Sequence, residues 1–189
     1  MRHGIARFPN NESGDEIMMR EKEVVLHFNH GKLKFSVGHF TIFSATERET
    51  LHGHNYSLEV VLTTSLGEPG IAFDYRLFDE KLISLCQQLN WHFLIPGNSP
   101  YVQVEEDDSH YQITFNGESM WLLKKDVVVL PLDNVTLETL SQWFVDELKK
   151  DHAFIQQYRI KKIKIKVFNG PHHAAEAKTK TTDCFICAV

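Results

Sequence analysis

His52-Gly53-His54 stands at the head of a segment that reads as a strand, where residues two apart project to the same face. Both imidazoles can therefore meet one ion, and Gly53 between them lets backbone or ligand approach closely. His39 ends the preceding strand candidate, and antiparallel pairing across the intervening loop, residues 41–50, brings it opposite the pair. Three neutral imidazoles with a fourth position open describe a catalytic zinc site, because structural sites are normally closed by a fourth protein ligand. A bare His-x-His on a strand is more often a polar edge, so this spacing needs support from its surroundings.

Composition bounds what those surroundings can be. The chain has 189 residues, enough for one domain with a core of its own. Its formal charge of −5 provides no global basic field for a phosphate backbone or an anionic membrane, so neither nucleic acid nor membrane is expected as a partner. With 11 histidines against 3 cysteines, a metal would be held mainly through imidazole nitrogen. Cys86, Cys184 and Cys187 are too few and too oddly placed for a disulfide framework, and read as reduced thiols of a cytoplasmic protein. Residues 1–22 carry no apolar run of signal-peptide or membrane-spanning type and read as a flexible extension. Residues 23–189 then form the single domain.

The elements that must position the histidines follow from local pattern. Residues 24–28 and 33–40 are rich in β-formers, and Asn29-His30-Gly31-Lys32 between them supplies turn chemistry, which predicts a hairpin. Residues 51–63 alternate, with Tyr56, Leu58, Val60 and Leu62 on one parity, as a half-buried strand does. Asp74 caps a helix over residues 75–89, and Thr136 caps a second carrying Leu137, Leu140, Trp143, Phe144 and Leu148. Between them lies a β-rich insert at about residues 100–131, with Asn116-Gly117 as its clearest turn and residues 127–130 closing it. A final strand holds Ile160, Ile163, Ile165 and Val167. The class is α+β, an antiparallel sheet with two helices on one face.

His-Gly-His-Asn-Tyr over residues 52–56, preceded by Phe35-Ser36 and His39-Phe40, resembles the 6-pyruvoyl-tetrahydropterin synthase family, which also holds the 6-carboxytetrahydropterin synthases of queuosine biosynthesis. Asp74-Tyr75, Leu89, Phe93-Leu94 and Pro96 extend the likeness, which runs from about Leu33 to Ala175. The run from Arg48 to Tyr56 is particularly similar to the apicomplexan-type subgroup, in which a glutamate, here Glu49, stands in for a catalytic cysteine. The resemblance implies a tunnelling fold (T-fold) and a homohexamer of two stacked trimers with sites between subunits. It also implies zinc on His39, His52 and His54, and lyase chemistry on 7,8-dihydroneopterin triphosphate, as in tetrahydrobiopterin biosynthesis. The product is a 6-pyruvoyl, 6-carboxy or 6-hydroxymethyl pterin.

Carried over residue by residue, the resemblance makes Glu49 the base and His92 its assistant, and gives Thr136, Glu138 and Asn169 the pterin. Four positions depart from the family pattern. Arg48, in the Thr46-Glu47-Arg48 stretch where the cysteine would be, is the first, Asn90 and Trp91 replace an Asp-His proton relay, and Asn169 replaces a glutamate that grips the pterin edge. Asn90 cannot ionise and Trp91 cannot accept a proton. Glu176, His172 and His173 are further candidates for the pocket. Two functional readings follow: an active zinc-dependent pterin lyase, or a zinc-binding relative that holds a pterin-like molecule without the usual turnover.

Overall fold

The two leading strands do not pair with each other as a hairpin would. In the computed structural model, which describes residues 22–179, β1 (Glu23–Phe28) and β2 (Lys34–His39) run end to end along one edge of a single long strand, β3 (His52–Ser65). β1 lies against its second half, from Glu23 opposite Ser65 to Phe28 opposite Val60. β2 lies against its first half, from Lys34 opposite Ser57 to His39 opposite His52. Residues 29–33 thus face only Leu58 and Glu59 and form a wide bulge. Leu33 closes it: its N–H donates to the His30 carbonyl at 3.0 Å and its own carbonyl accepts from the Leu58 N–H at 2.9 Å. Burial of the Leu33 side chain contributes about 1.5–3 kcal/mol to holding that kink. The turn chemistry of Asn29-His30-Gly31-Lys32 is used within one edge because β3 is long enough to pair with both segments. The hairpin loop proper is residues 40–51.

Both expected helices are present. α1 (Tyr75–Leu89) starts where the Asp74 side chain accepts from the Arg76 N–H, and it buries Phe78, Leu82, Leu85, Cys86 and Leu89 at helical spacing. α2 (Leu137–Lys149) is capped by Thr136 in a reciprocal box with Thr139 and buries Leu140, Trp143, Phe144 and Leu148. Both pack with Phe35, Val37, Tyr56, Leu58 and Val60 in the main core. A one-turn helix, α3 (His152–Gln157), follows α2.

The sheet runs β10-β9-β3-β2-β4-β8, with β9 (Lys162–Asn169) and β10 (His173–Lys178) antiparallel to their neighbours. β4 (His92–Pro96) and β8 (Val127–Leu130) extend it in parallel pairing. β8 therefore rejoins the main sheet and does not close the insert. The insert itself is a separate antiparallel sheet of β5 (Val102–Glu106), β6 (His110–Phe115) and β7 (Glu118–Leu123). A second core, in which Phe40, Ile42, Ile95 and Val127 meet Val102, Ile113 and Phe115, joins the two sheets. β4, α3 and β10 have no counterpart in the sequence reading. Local pattern conceals β10 in particular, because His-Ala-Ala-Glu-Ala-Lys favours helix and only its pairing with β9 makes it a strand. The N-terminal extension, apart from its last residue, and the Cys184/Cys187 pair lie outside the described residues.

Candidate metal centre

Alternation along β2 and β3 puts Phe35, Val37 and His39 on the same side of the sheet as Tyr56, His54 and His52. His39 stands directly opposite His52, and His54 opposite Val37. A ring nitrogen from each of the three histidines lies within 4.8 Å of those of the other two.

Backbone carbonyls orient two of the rings. His39 Nδ1–H donates to the Val135 carbonyl at 3.0 Å, and His52 Nδ1–H donates to the Thr50 carbonyl at 2.8 Å. Each ring therefore keeps its proton on Nδ1 and offers its Nε2 lone pair to the centre. His52 Nε2 and His54 Nε2 come within 2.9 Å, while the Tyr56 hydroxyl lies 3.2 Å from His39 Nε2. With the Nε2 atoms of His39 and His52 free to accept and His54 Nε2 beside them, the donor set fits a metal that accepts imidazole nitrogen. His39 is 3% exposed. Burial, helped by the neighbouring His52, pulls its pKa from 6.5 down to about 4. His54 is lowered by the same two causes, burial first. The His39 and His54 rings therefore stay neutral and able to ligate at neutral pH.

Glu49 approaches this cluster from the hairpin loop, its Oε2 3.7 Å from His52 Nε2. The same oxygen accepts from the Thr41 N–H at 3.0 Å, and the Glu49 N–H donates to the Thr41 carbonyl at 2.8 Å. Burial alone would raise its pKa, but the Thr41 hydrogen bonds, with His52 and His39, hold it below the ordinary carboxylate range. Glu49 is thus an anion beside the histidines.

The other sequence candidates are placed as follows. Thr136 uses its hydroxyl to cap α2, one residue after the Val135 carbonyl that holds His39, and Glu138 is exposed in the first turn of that helix. Asn169 ends β9 opposite Tyr56, on the face that carries the histidines. His92 lies in β4 beside Val37, its Nδ1 buried without a hydrogen-bond partner among the described residues. The Asn90 side-chain oxygen accepts from the Ser36 N–H at 2.8 Å, and the Trp91 backbone N–H donates to the Ser36 carbonyl at 2.7 Å. Trp91 itself has φ +68° and is 81% exposed. It lines a groove of about 570 Å³ with Ser36, Gly38, Gly53, Asn55 and Asn169. Glu176 faces Lys164 and Lys166 at 3.3 and 3.6 Å; His172, in the turn between β9 and β10, and His173, the first residue of β10, are exposed.

Two supporting residues have no place in the sequence reading. Asn134 binds both backbone groups of Ile42, accepting at 3.1 Å and donating at 2.8 Å, and so fixes the start of the hairpin loop to the entrance of α2. Val135 contributes only its carbonyl to His39. The polar Asp133-Asn134 ahead of a capping threonine is a usable signal for the first; a backbone carbonyl leaves none for the second.

A sequence model of the 6-pyruvoyl tetrahydropterin synthase family matches residues 30–180. A Pyrococcus horikoshii protein provisionally assigned as a 6-carboxy-5,6,7,8-tetrahydropterin synthase is 28% identical over 144 residues, 76% of this chain and 84% of that protein. Among solved structures, the Plasmodium vivax 6-pyruvoyl tetrahydropterin synthase superposes with a TM-score of 0.78 at 24% identity, over 85% of this chain and 99% of that one. A variant of that enzyme, described as having its catalytic glutamate replaced by alanine, gives a TM-score of 0.79 at the same identity, with the same share of each chain covered. The structural likeness shows that the α+β tunnelling fold is shared.

Proposed function

Because the chain belongs to the 6-pyruvoyl tetrahydropterin synthase family, we propose that it is a zinc-dependent pterin lyase acting on 7,8-dihydroneopterin triphosphate. The observation that carries this reading is the meeting of His39, His52 and His54 beside an ionised Glu49. When bound to these histidines, zinc would supply a Lewis acid that polarises substrate oxygens. Glu49 is the base that takes a proton from the substrate side chain, and His92, whose Nδ1 has no hydrogen-bond partner among the described residues, assists. A catalytic glutamate in the Plasmodium vivax enzyme supports that role. Asn169 and the Thr136 to Glu138 turn hold the pterin. The product is a 6-pyruvoyl, 6-carboxy or 6-hydroxymethyl pterin.

The proposal extends to a cytoplasmic homohexamer of two stacked trimers. The sheet supports assembly, since it ends in β10 and β8 and no described strand covers their outer edges. Among the described residues, no helix is long and apolar enough to cross a membrane.

Asn90 and Trp91 favour the second reading, a zinc-binding relative without the usual turnover, because the Asn90 side-chain oxygen is committed to Ser36 and Trp91 has no imidazole. Incubating the zinc-loaded protein with 7,8-dihydroneopterin triphosphate and resolving the pterins formed separates the two. Product that disappears in Glu49→Gln supports the lyase; an intact zinc site with no product supports the binder.

A further inference from the structure

We propose that Arg48 is a positioning residue for Glu49, through which the β5–β7 sheet sets how that carboxylate reaches the histidines. This rests on the reading of Glu49 as the base. The loop that carries Glu49 is a small hairpin in its own right: the Phe43 and Ser44 N–H groups donate to the Glu47 carbonyl at 2.9 and 3.1 Å, and Ile42 bridges Arg48. Its outgoing leg is held by Asn134 through Ile42. Its returning leg is held by Arg48, whose Nη1 donates to the Glu49 carbonyl at 2.8 Å.

The guanidinium that makes this bond is itself fixed. It lies 4.9 Å from the Phe40 ring centroid and 5.6 Å from that of Phe115. Phe40 leaves β2 for the loop, whereas Phe115 belongs to β6, and both are buried in the second core. A guanidinium can stack on rings and still present N–H groups in its plane, which a lysine ammonium does less well. Phe115 therefore restrains Arg48, Arg48 restrains the Glu49 carbonyl, and the carboxylate is left directed at the Thr41 N–H and His52. The insert takes part in the site although it supplies no candidate ligand. A displacement of about 1 Å in such a group can cost a hundredfold in rate.

The test compares Arg48→Met, Arg48→Lys and Phe115→Leu in the zinc-loaded full chain. Arg48→Met should lower kcat on 7,8-dihydroneopterin triphosphate by tenfold or more while KM and zinc content stay within about twofold of the parent. Arg48→Lys should recover part of the loss, and Phe115→Leu should show a smaller loss of kcat. Amide hydrogen exchange provides a readout that needs no turnover: the Thr41 N–H, held by the Glu49 carboxylate, should exchange at least tenfold faster in Arg48→Met, with the Ile42 N–H unchanged. Parental kcat in Arg48→Met alongside a dead Glu49→Gln overturns the positioning role, as does loss of zinc equal to the loss of rate. Parental exchange at Thr41 overturns it whether or not the protein turns over. A fully active Glu49→Gln removes the base assignment instead.

Discussion

His39 and Val135, 96 residues apart in the chain, are joined by a 3.0 Å hydrogen bond from the imidazole Nδ1–H to the backbone carbonyl. The bond fixes which nitrogen of His39 faces its partners, and it fastens β2 to the residue that precedes the cap of α2. The orientation of the metal centre and the docking of the helix thus depend on one contact.

Removing one imidazole should break the centre. His39→Ala or His54→Ala should weaken zinc retention by more than the 10- to 100-fold typical of outer supporting groups. Thr136→Ala, which removes the cap of α2 but no metal ligand, should retain zinc and cost about 1 kcal/mol of stability. Metal analysis after dialysis against a chelator, with a denaturation curve beside it, checks both; stoichiometric zinc in either histidine variant would exclude these ligands.

Acid should destabilise the metal-free protein through His39. Its pKa is near 4 when folded and 6.5 when free, so between those values the unfolded chain binds the proton first. Stability from this group is therefore complete above pH 6.5 and declines as pH falls toward 4, by up to about 3 kcal/mol. Urea melts from pH 7 to pH 4 should show this slope in the parent and a shallower one in His39→Leu; parallel slopes would contradict it.

Trp91 occupies the left-handed backbone region with φ +68°. That conformation costs an L-residue about 1–2 kcal/mol and glycine nearly nothing. An 81% exposed ring has little packing to lose. Trp91→Gly should keep the stability of the parent or gain up to about 1 kcal/mol, measured by chemical denaturation. A loss above about 1 kcal/mol would mean that the indole is packed against something.

Gly38 is where β2 lets β4 approach. A Cβ there would fall 2.2 Å from Cε1 of the Phe93 ring, so Gly38→Ala should cost about 1–3 kcal/mol. Adding Phe93→Ala should cost less in the Gly38→Ala background than in the parent, and strict additivity of the two would show that the ring is free to move aside.

Features set by short-range pattern were legible in the sequence. Asp74 and Thr136 announce their helices, and period-two spacing brings His52 and His54 together with His39 opposite. Partners chosen at a distance were not. Nothing in Asn29-His30-Gly31-Lys32 distinguishes a hairpin turn from a bulge, because the difference lies in the length of β3. β4 is too short and β10 too alanine-rich to declare themselves. At the site, the imidazoles could be read but not the carbonyls of Thr50 and Val135 that aim them, since every residue carries a carbonyl.

The bulge between β1 and β2 also sets a phase. In β1 the inward positions are even, Leu26 and Phe28, whereas in β2 they are odd, Phe35, Val37 and His39. Both segments face one uninterrupted strand, so the switch comes entirely from the odd excess of residues 29–33 over the pair they oppose. Were one residue deleted there and Lys34 drawn into the bulge to replace it, with β1 kept in place, β2 would slip one step along β3, Gly38 and Phe40 would turn inward and His39 would face away from His52 and His54. The number of residues in a segment that touches no metal ligand is therefore as much a part of the metal centre as the histidines.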